Sequence, residues 1–224
     1  MTIDGAAVAR NIADVRAAIS ARTDRRVSLV AVTKGFDEQA VRAALDAGAD
    51  GIGENYAQEM VAKAAALETG IAGPERPFSE RVAGPERPFS ERVPWHFIGQ
   101  LQRNKVKLIV PLDVALWQTI DRLELARELE RRQPGARMLV QVNTTGEAQK
   151  GGCEPGEAPA LVAGCAALGL SVGGLMTVGP TGPAEAARSL ADRFRPGHMP
   201  HPGGQELPVL TRSQACRAPV RRAD

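Results

Sequence analysis

The chain has 224 residues and a formal net charge of +2, with 43% hydrophobic and 24% charged residues. This composition is typical of a globular protein, and so small a net charge argues against binding of nucleic acid through a basic surface. The three cysteines, Cys153, Cys165 and Cys216, form neither a C-x-x-C pair nor a Cys/His cluster. Their arrangement therefore argues against a disulfide framework and against a zinc site.

The N-terminus and the apolar segments indicate whether the protein is secreted or crosses a membrane. The first residues are amphipathic and include acidic side chains, unlike a secretory signal. No apolar run approaches the roughly 20 residues that a membrane span requires. We therefore expect a cytoplasmic protein that does not associate with membranes.

The N-terminal half alternates helical and strand patterns. A leading helix is predicted from one apolar stripe, formed by Val8, Ile12, Val15 and Ile19. The short apolar segment 27–34 predicts a strand buried on both faces. Asp37 is suited to cap the following helix, whose inward residues would be Val41, Ala44 and Leu45. The same alternation continues with a strand at 50–56, a helix at 57–68, a strand at 95–99 and a short helix containing Val106, Leu108 and Ile109.

The C-terminal half repeats the pattern. It predicts strands at 113–120, 136–143 and 170–178 and helices at 122–132, about 159–168 and about 184–194, with Asp121 as the cap of the first of these helices. Six strand–helix units after a leading helix predict a parallel α/β fold. Periodicity alone leaves two architectures open, an eight-fold (β/α) barrel and an open doubly wound sheet.

Two segments interrupt this alternation. Residues 72–82 are repeated without change at 83–93, and each copy contains two prolines, so the repeat at 72–93 predicts an insertion without chemistry rather than a helix. Residues 195–224 are rich in proline, glycine and arginine, and only the stretch LPVLT at 207–211 could form a strand. Two interpretations of this tail are open: a natural disordered tail, and the product of a shifted reading frame, which we favour.

Lys34 is the first candidate for chemistry, because it ends an apolar strand. In parallel α/β folds the C-terminal ends of the strands face the ligand. A partly desolvated lysine at that position can attack an aldehyde. Polar residues also lie at the ends of two other predicted strands, Asn55 and Asn143, and His96 lies in the strand at 95–99. Each of them also has an ordinary structural interpretation, as a helix cap or a satisfied core residue.

Several motifs that contain these residues resemble the pyridoxal phosphate homeostasis proteins, which are relatives of the alanine racemase N-terminal barrel. The matching stretches are LVAVTK (29–34), GENYAQE (53–59), WHFIGQLQRNKVK (95–107), TIDR (119–122), VQVNTTGEAQKGG (140–152) and GLMTVGP (174–180). They occur in the order of the family and span about residues 5–194.

The resemblance implies a (β/α)8 TIM-barrel fold and pyridoxal 5′-phosphate (PLP) as cofactor. It implies that Lys34 carries the cofactor as a Schiff base and that Asn55, His96, Asn143 and Met176 line its pocket. Members of the family are cytoplasmic, bind PLP without a defined catalytic reaction and contribute to its supply, so PLP-dependent apoenzymes are possible partners.

The chain also departs from the family after the sixth helix. The sequence patterns of the last two strands are missing, so residues 1–194 are expected to form a PLP-binding barrel that is incomplete at strands 7–8, and 195–224 an irregular tail. In such barrels the last loops commonly bind phosphate, so affinity for PLP should be reduced. Two alternatives to a PLP carrier remain, an alanine racemase-like enzyme and a defective remnant that binds PLP weakly. A racemase of this relationship has a further domain with a catalytic tyrosine, whereas this chain contains one tyrosine, Tyr56.

Overall fold

A computed structural model describes residues 3–69, 93–147 and 150–179, and the backbone of 209–212. Within it the chain forms two compact units. The first unit comprises residues up to Gly99 together with Asn104–Ala115, and the second comprises Gln100–Arg103 and the residues from Leu116 onward. Each unit combines parallel strands with the helices that follow them in the chain.

The elements alternate along the chain as the sequence predicts. The helices are α1 (Gly5–Ser20), α2 (Glu38–Asp46), α3 (Ala57–Thr69), α4 (Val106–Ile109), α5 (Leu123–Arg132) and α6 (Ala158–Ala167). The strands are β1 (Val30–Val32), β2 (Gly51–Glu54), β3 (Trp95–Phe97), β4 (Leu116–Ile120), β5 (Arg137–Gln141), β6 (Ser171–Val178) and β7 (Val209–Arg212). The prediction of a parallel α/β fold is therefore confirmed for the described part of the chain.

In the first unit β1, β2 and β3 pair in parallel and in chain order. The register aligns Val32 with Gly53 and Gly53 with His96. Ile52 and Trp95 lie on the other face of the sheet and are fully buried. Helices α2 and α3 both contact β2, and Lys63 of α3 reaches the carboxylate of Glu54, which lies two residues after Ile52 on the same face.

In the second unit β4, β5, β6 and β7 also pair in parallel and in chain order. Its core contains Trp117, Met138 and Leu129, all fully buried. The indole nitrogen of Trp117 donates to the side-chain oxygen of Gln133 at 3.0 Å, which ties β4 to the end of α5. Helices α5 and α6 contact each other beside these strands.

Strand β7 lies in the unusual C-terminal segment. Its residues Val209–Arg212 pair in parallel with Leu175–Val178 of β6. The stretch LPVLT was the strand candidate in this segment, and most of it is in β7. The predicted helix at 184–194 and nearly all of the tandem repeat at 72–93 lie outside the described residues.

Two details of the sequence interpretation are wrong. The segment 27–34 is not a strand buried on both faces, because only Val30–Val32 pair and Val32 is 41% exposed. Leu29 instead donates its backbone N–H to the carboxylate of Asp50, at 2.6 Å.

Asp121 does not cap α5, since the N-cap is Arg122 and no side chain caps the helix. The Asp121 carboxylate is instead paired with the guanidinium of Arg122 at 2.5 Å.

The cap predicted for α2 is confirmed. The Asp37 carboxylate accepts a hydrogen bond from the backbone N–H of Gln39 at 3.1 Å, and Val41, Ala44 and Leu45 are buried. None of the helices in the described parts of the chain is long and apolar enough to span a bilayer.

Candidate functional site

Lys34 lies in a tight turn directly after β1. The backbone N–H of Phe36 donates to the carbonyl of Thr33 at 3.1 Å, which closes the turn around Lys34 and Gly35. Gly35 has a φ of 79°. A positive φ at this third position is typical of a type II turn, which favours glycine there. The turn leaves Lys34 exposed at the C-terminal end of the strand.

The sheet face beside Lys34 carries small side chains. Lys34 is the turn residue two positions after Val32, and Val32 is paired with Gly53 of the neighbouring strand. Val32 is 41% exposed. Because Gly53 has no side chain and Val32 is partly exposed, the sheet is accessible next to the end of β1.

Asn55 and His96 lie on the neighbouring strands. Asn55 follows β2 and is half-buried, and the backbone after β3 passes against it at Gly99. His96 lies in β3 and is also half-buried. Its Nε2 is 2.8 Å from the position that a Cβ on Gly51 would occupy, so a side chain at position 51 would displace the imidazole.

A buried ion network lies on the opposite face, behind the turn. The ammonium of Lys63, from α3, donates to Glu54 at 2.6 Å and to Glu59 at 2.8 Å. Its third hydrogen bond reaches the carbonyl of Thr33 at 2.7 Å. Burial is the largest influence on Glu54 and raises the pKa of its carboxyl, against the opposing hydrogen bonds from Lys63 and Thr33.

In the second unit Asn143 organises the loop after β5. Its Oδ1 accepts from the backbone N–H of Thr145 at 3.2 Å and of Gly146 at 3.1 Å, and its Nδ2 donates to the carbonyl of Glu147 at 3.1 Å. The side chain thus has a structural task. The same loop is anchored by Lys150, which donates to the Glu147 carboxylate at 2.6 Å.

Met176 lies in β6 next to the end of β5. Its carbonyl accepts the backbone N–H of Val142 at 2.9 Å, which places Met176 beside the residue before Asn143. Its side chain is 1% exposed. Thr177 follows, and its hydroxyl lies 2.7 Å from the hydroxyl of Thr144.

Each unit therefore contains some of the predicted site residues, in its strands or directly after them. The first unit contains Lys34, Asn55 and His96, and the second contains Asn143 and Met176. Among residues 3–69, 93–147 and 150–179 no group of three or more His, Cys, Asp or Glu side chains could hold a metal ion.

Sequence reasoning missed the contribution of Glu59 and Lys63. A signal was available, because Lys63 lies in the apolar stripe formed by Met60, Ala64 and Leu67, all of them buried. A lysine at such a position is almost never fully buried without a partner. Glu59, four residues earlier, is one such partner.

Comparison with known proteins places this arrangement in a family. The family model for the alanine racemase N-terminal domain matches residues 3–196. The pyridoxal phosphate homeostasis protein of Pseudomonas aeruginosa is 34% identical over 201 residues, which cover 84% of this chain and 77% of that protein.

Solved structures show the same fold. The structure of PipY from Synechococcus elongatus with PLP bound is 25% identical, has a TM-score of 0.57 and covers 81% of this chain and 82% of PipY. Alanine racemase from E. faecalis is similar in fold only, at 17% identity and a TM-score of 0.61, and the match covers 93% of this chain but 50% of the racemase. The fold is thus the α/β fold of the alanine racemase N-terminal barrel, which decides against an open doubly wound sheet. This chain belongs to the alanine racemase N-terminal domain family, within which it is a member of the pyridoxal phosphate homeostasis proteins.

Proposed function

We propose that this protein binds PLP through Lys34 and contributes to PLP homeostasis without a defined catalytic reaction. The observation that carries the proposal is the exposed lysine at the end of β1, in a chain whose relatives include a PLP-bound PipY. PLP supplies an aldehyde that condenses with a lysine amine to a Schiff base, with loss of water. The residues around Lys34 determine whether its amine is accessible and correctly oriented for this reaction.

The strand beside the end of β1 carries a glycine at position 53, which is paired with Val32. A Cβ there would be 2.9 Å from the side chain of Ile98 and 3.4 Å from that of Val32. A larger residue at 53 would therefore disturb the packing of Ile98 next to the turn of Lys34. We propose that Asn55 and His96, which follow or lie in the neighbouring strands, contact the cofactor. Asn143 and Met176 are proposed as further contacts from their motifs alone.

Borohydride reduction of PLP-loaded protein, followed by peptide mass mapping, tests the assignment. The reduced cofactor is expected on the peptide that contains Lys34, together with loss of the visible absorbance band in Lys34→Arg. This variant keeps the positive charge and cannot form the imine. Lys107→Ala is the matched control, because Lys107 is exposed on α4 and the change should preserve both the band and the label. Label confined to any other lysine would overturn the assignment.

A comparison of PLP with pyridoxal tests the contribution of the phosphate. Because the sequence patterns of the last two family strands are missing, we propose that few contacts to phosphate remain. Charge-assisted hydrogen bonds contribute about 1.5–3 kcal/mol each, so an intact phosphate site would favour PLP by a factor of about 100 or more. We expect a preference below about tenfold. A much larger preference would mean that other residues bind the phosphate.

Two assays separate a carrier from the alternatives. Loaded protein mixed with a PLP-dependent apoenzyme should restore activity of that apoenzyme, as expected of a carrier in the cytoplasm. Incubation with L-alanine and chiral analysis should give no D-alanine, since two-base chemistry at Cα needs a second positioned acid or base. Appearance of D-alanine, lost in Lys34→Arg, would establish the racemase alternative instead.

A further inference from the structure

The turn that carries Lys34 is bound at three points by acidic and basic side chains from β2 and α3. The Thr33 hydroxyl donates to Oε1 of Glu54, and the Thr33 carbonyl accepts from Lys63 at 2.7 Å. On the other side of Lys34, the backbone N–H of Gly35 donates to Oε1 of Glu59 at 2.5 Å. The residues immediately before and after Lys34 are therefore both held.

The three side chains form one connected network. Lys63 donates its three ammonium hydrogens to Glu54, Glu59 and the Thr33 carbonyl, which uses its full donor capacity. The side chains of Glu54 and Lys63 are 0% and 4% exposed, and that of Glu59 is 25% exposed. Within the described part of the chain, Oε2 of Glu54 is a buried oxygen without a hydrogen-bond partner.

Such a network is a poor source of stability. Removing two or three charges from water carries a desolvation cost that the ion pairs recover only with good geometry, and apolar residues of similar volume often give equal or greater stability. A charged network fixes hydrogen-bond directions, which apolar packing cannot do. Its contacts here converge on the two neighbours of one lysine.

We propose that the Glu54–Lys63–Glu59 network positions Lys34, by fixing the Thr33–Phe36 turn and with it the direction in which the Lys34 side chain leaves the end of β1. The three network residues do not contact the cofactor and act only through the turn. The proposal rests on the proposed function of Lys34 as the residue that binds PLP. It assigns a role to Glu59, the last residue of the GENYAQE stretch, and to Lys63, which lies outside the matching stretches.

Glu59 offers the sharpest test, because it is partly exposed and its loss should not prevent folding. Glu59→Ala removes the acceptor of the Gly35 N–H, whereas Glu59→Gln keeps a side-chain oxygen in the same place. In Glu59→Ala we expect hydrogen exchange at Gly35 in the cofactor-free protein to be at least about tenfold faster, the size of effect that follows from losing one hydrogen bond to a charged group. The dissociation constant for PLP should rise by a similar factor, and Glu59→Gln should restore most of both properties.

Val41→Ala is the control for destabilisation alone. Val41 is buried in α2 of the same unit and its apolar side chain forms none of the hydrogen bonds that hold the turn, so the change lowers stability and leaves those bonds in place. It should leave the affinity for PLP within about twofold of wild type at temperatures where the protein is folded. If Val41→Ala weakens PLP binding as much as Glu59→Ala does, positioning is not the cause.

The two proposals fail in different ways. If Lys34→Arg loses the absorbance band while Glu59→Ala keeps wild-type affinity and wild-type exchange at Gly35, the positioning role is wrong and the PLP site stands. If Lys34→Arg retains the band, the assignment of Lys34 itself is wrong. Faster exchange at Gly35 with unchanged affinity also contradicts the positioning role, because the turn would then be loosened without consequence for the amine.

Discussion

The carbonyl oxygen of Asn55 lies 1.8 Å from the position that a Cβ on Gly99 would occupy. Only glycine therefore fits at position 99, where the chain after β3 passes Asn55. The neighbouring carbonyl carbon and Cα of Asn55 are also within 2.7 Å of that position. Because the obstacle is backbone, no side-chain rotation relieves it. The close approach joins the loops that follow β2 and β3, next to two of the proposed cofactor contacts.

Gly99→Ala is therefore expected to destabilise the protein by about 2 kcal/mol or more, the upper part of the range for overpacking. The measurement is the midpoint of urea unfolding, at unchanged slope. Gly156→Ala is the matched control, because a Cβ there meets nothing within 4 Å. That change should stay within about 0.5 kcal/mol of wild type. If the two variants unfold at the same urea concentration, the close contact between Gly99 and the Asn55 backbone does not restrict position 99 to glycine.

Asn143 gives a second prediction, which concerns the loop after β5. Asn143→Ala removes the acceptor for the backbone N–H groups of Thr145 and Gly146 and the donor to Glu147, and should cost about 1–2 kcal/mol. Hydrogen exchange at residues 145 and 146 should accelerate at the same time. Asn143→Asp keeps the acceptor oxygen and should retain most of the protection. If the aspartate variant exchanges as fast as the alanine variant, the accepted bonds do not hold the loop.

Much of the fold was predictable because apolar periodicity depends on local sequence. The stripe of Val8, Ile12, Val15 and Ile19 predicts α1, and six apolar runs predict β1 to β6. The caps were less predictable. Asp37 and Asp121 both precede helices, but Asp121 pairs with the adjacent Arg122 and leaves α5 uncapped. Competition between a backbone N–H and a neighbouring guanidinium is decided by three-dimensional geometry.

The candidate site was predictable at Lys34 and less so around it. Its position after an apolar strand identifies the lysine, whereas the exposure of Val32 opposes the expectation for an apolar strand residue and becomes visible only in the folded sheet. The network behind Lys34 was missed because Glu54 and Lys63 come from different elements and meet only after folding. The role of Asn143 in its own loop was also not predictable, because its motif is compatible with both a structural role and a contact to the cofactor.

The buried thiols give a third prediction. Burial raises the pKa of Cys153 and of Cys165 to about 11. At pH 8 only about one thiol in a thousand is then the reactive thiolate, and access is also blocked. In a Cys216→Ser variant, iodoacetamide at pH 8 should label neither cysteine of the native protein and both in urea. Rapid labelling of either residue under native conditions would mean that its surroundings open readily.

The last prediction concerns acid stability and Glu128 on the surface of α5. Hydrogen bonds from Arg131 and Arg132 lower the pKa of this carboxyl from 4.5 to about 2. A carboxylate whose pKa is lowered on folding stabilises the folded state above its ordinary pKa, and this contribution is lost as the pH falls toward the lowered value. Wild type should therefore be more stable than Glu128→Gln at pH 7, and the difference between their urea midpoints should shrink between about pH 4.5 and 2. The difference at pH 7 should be small and should decrease in 1 M salt, since the Arg131 side chain is 62% exposed and its interaction with Glu128 is screened. A difference that stays constant from pH 7 to pH 3 and in high salt would show that the arginines do not stabilise the charged form of Glu128.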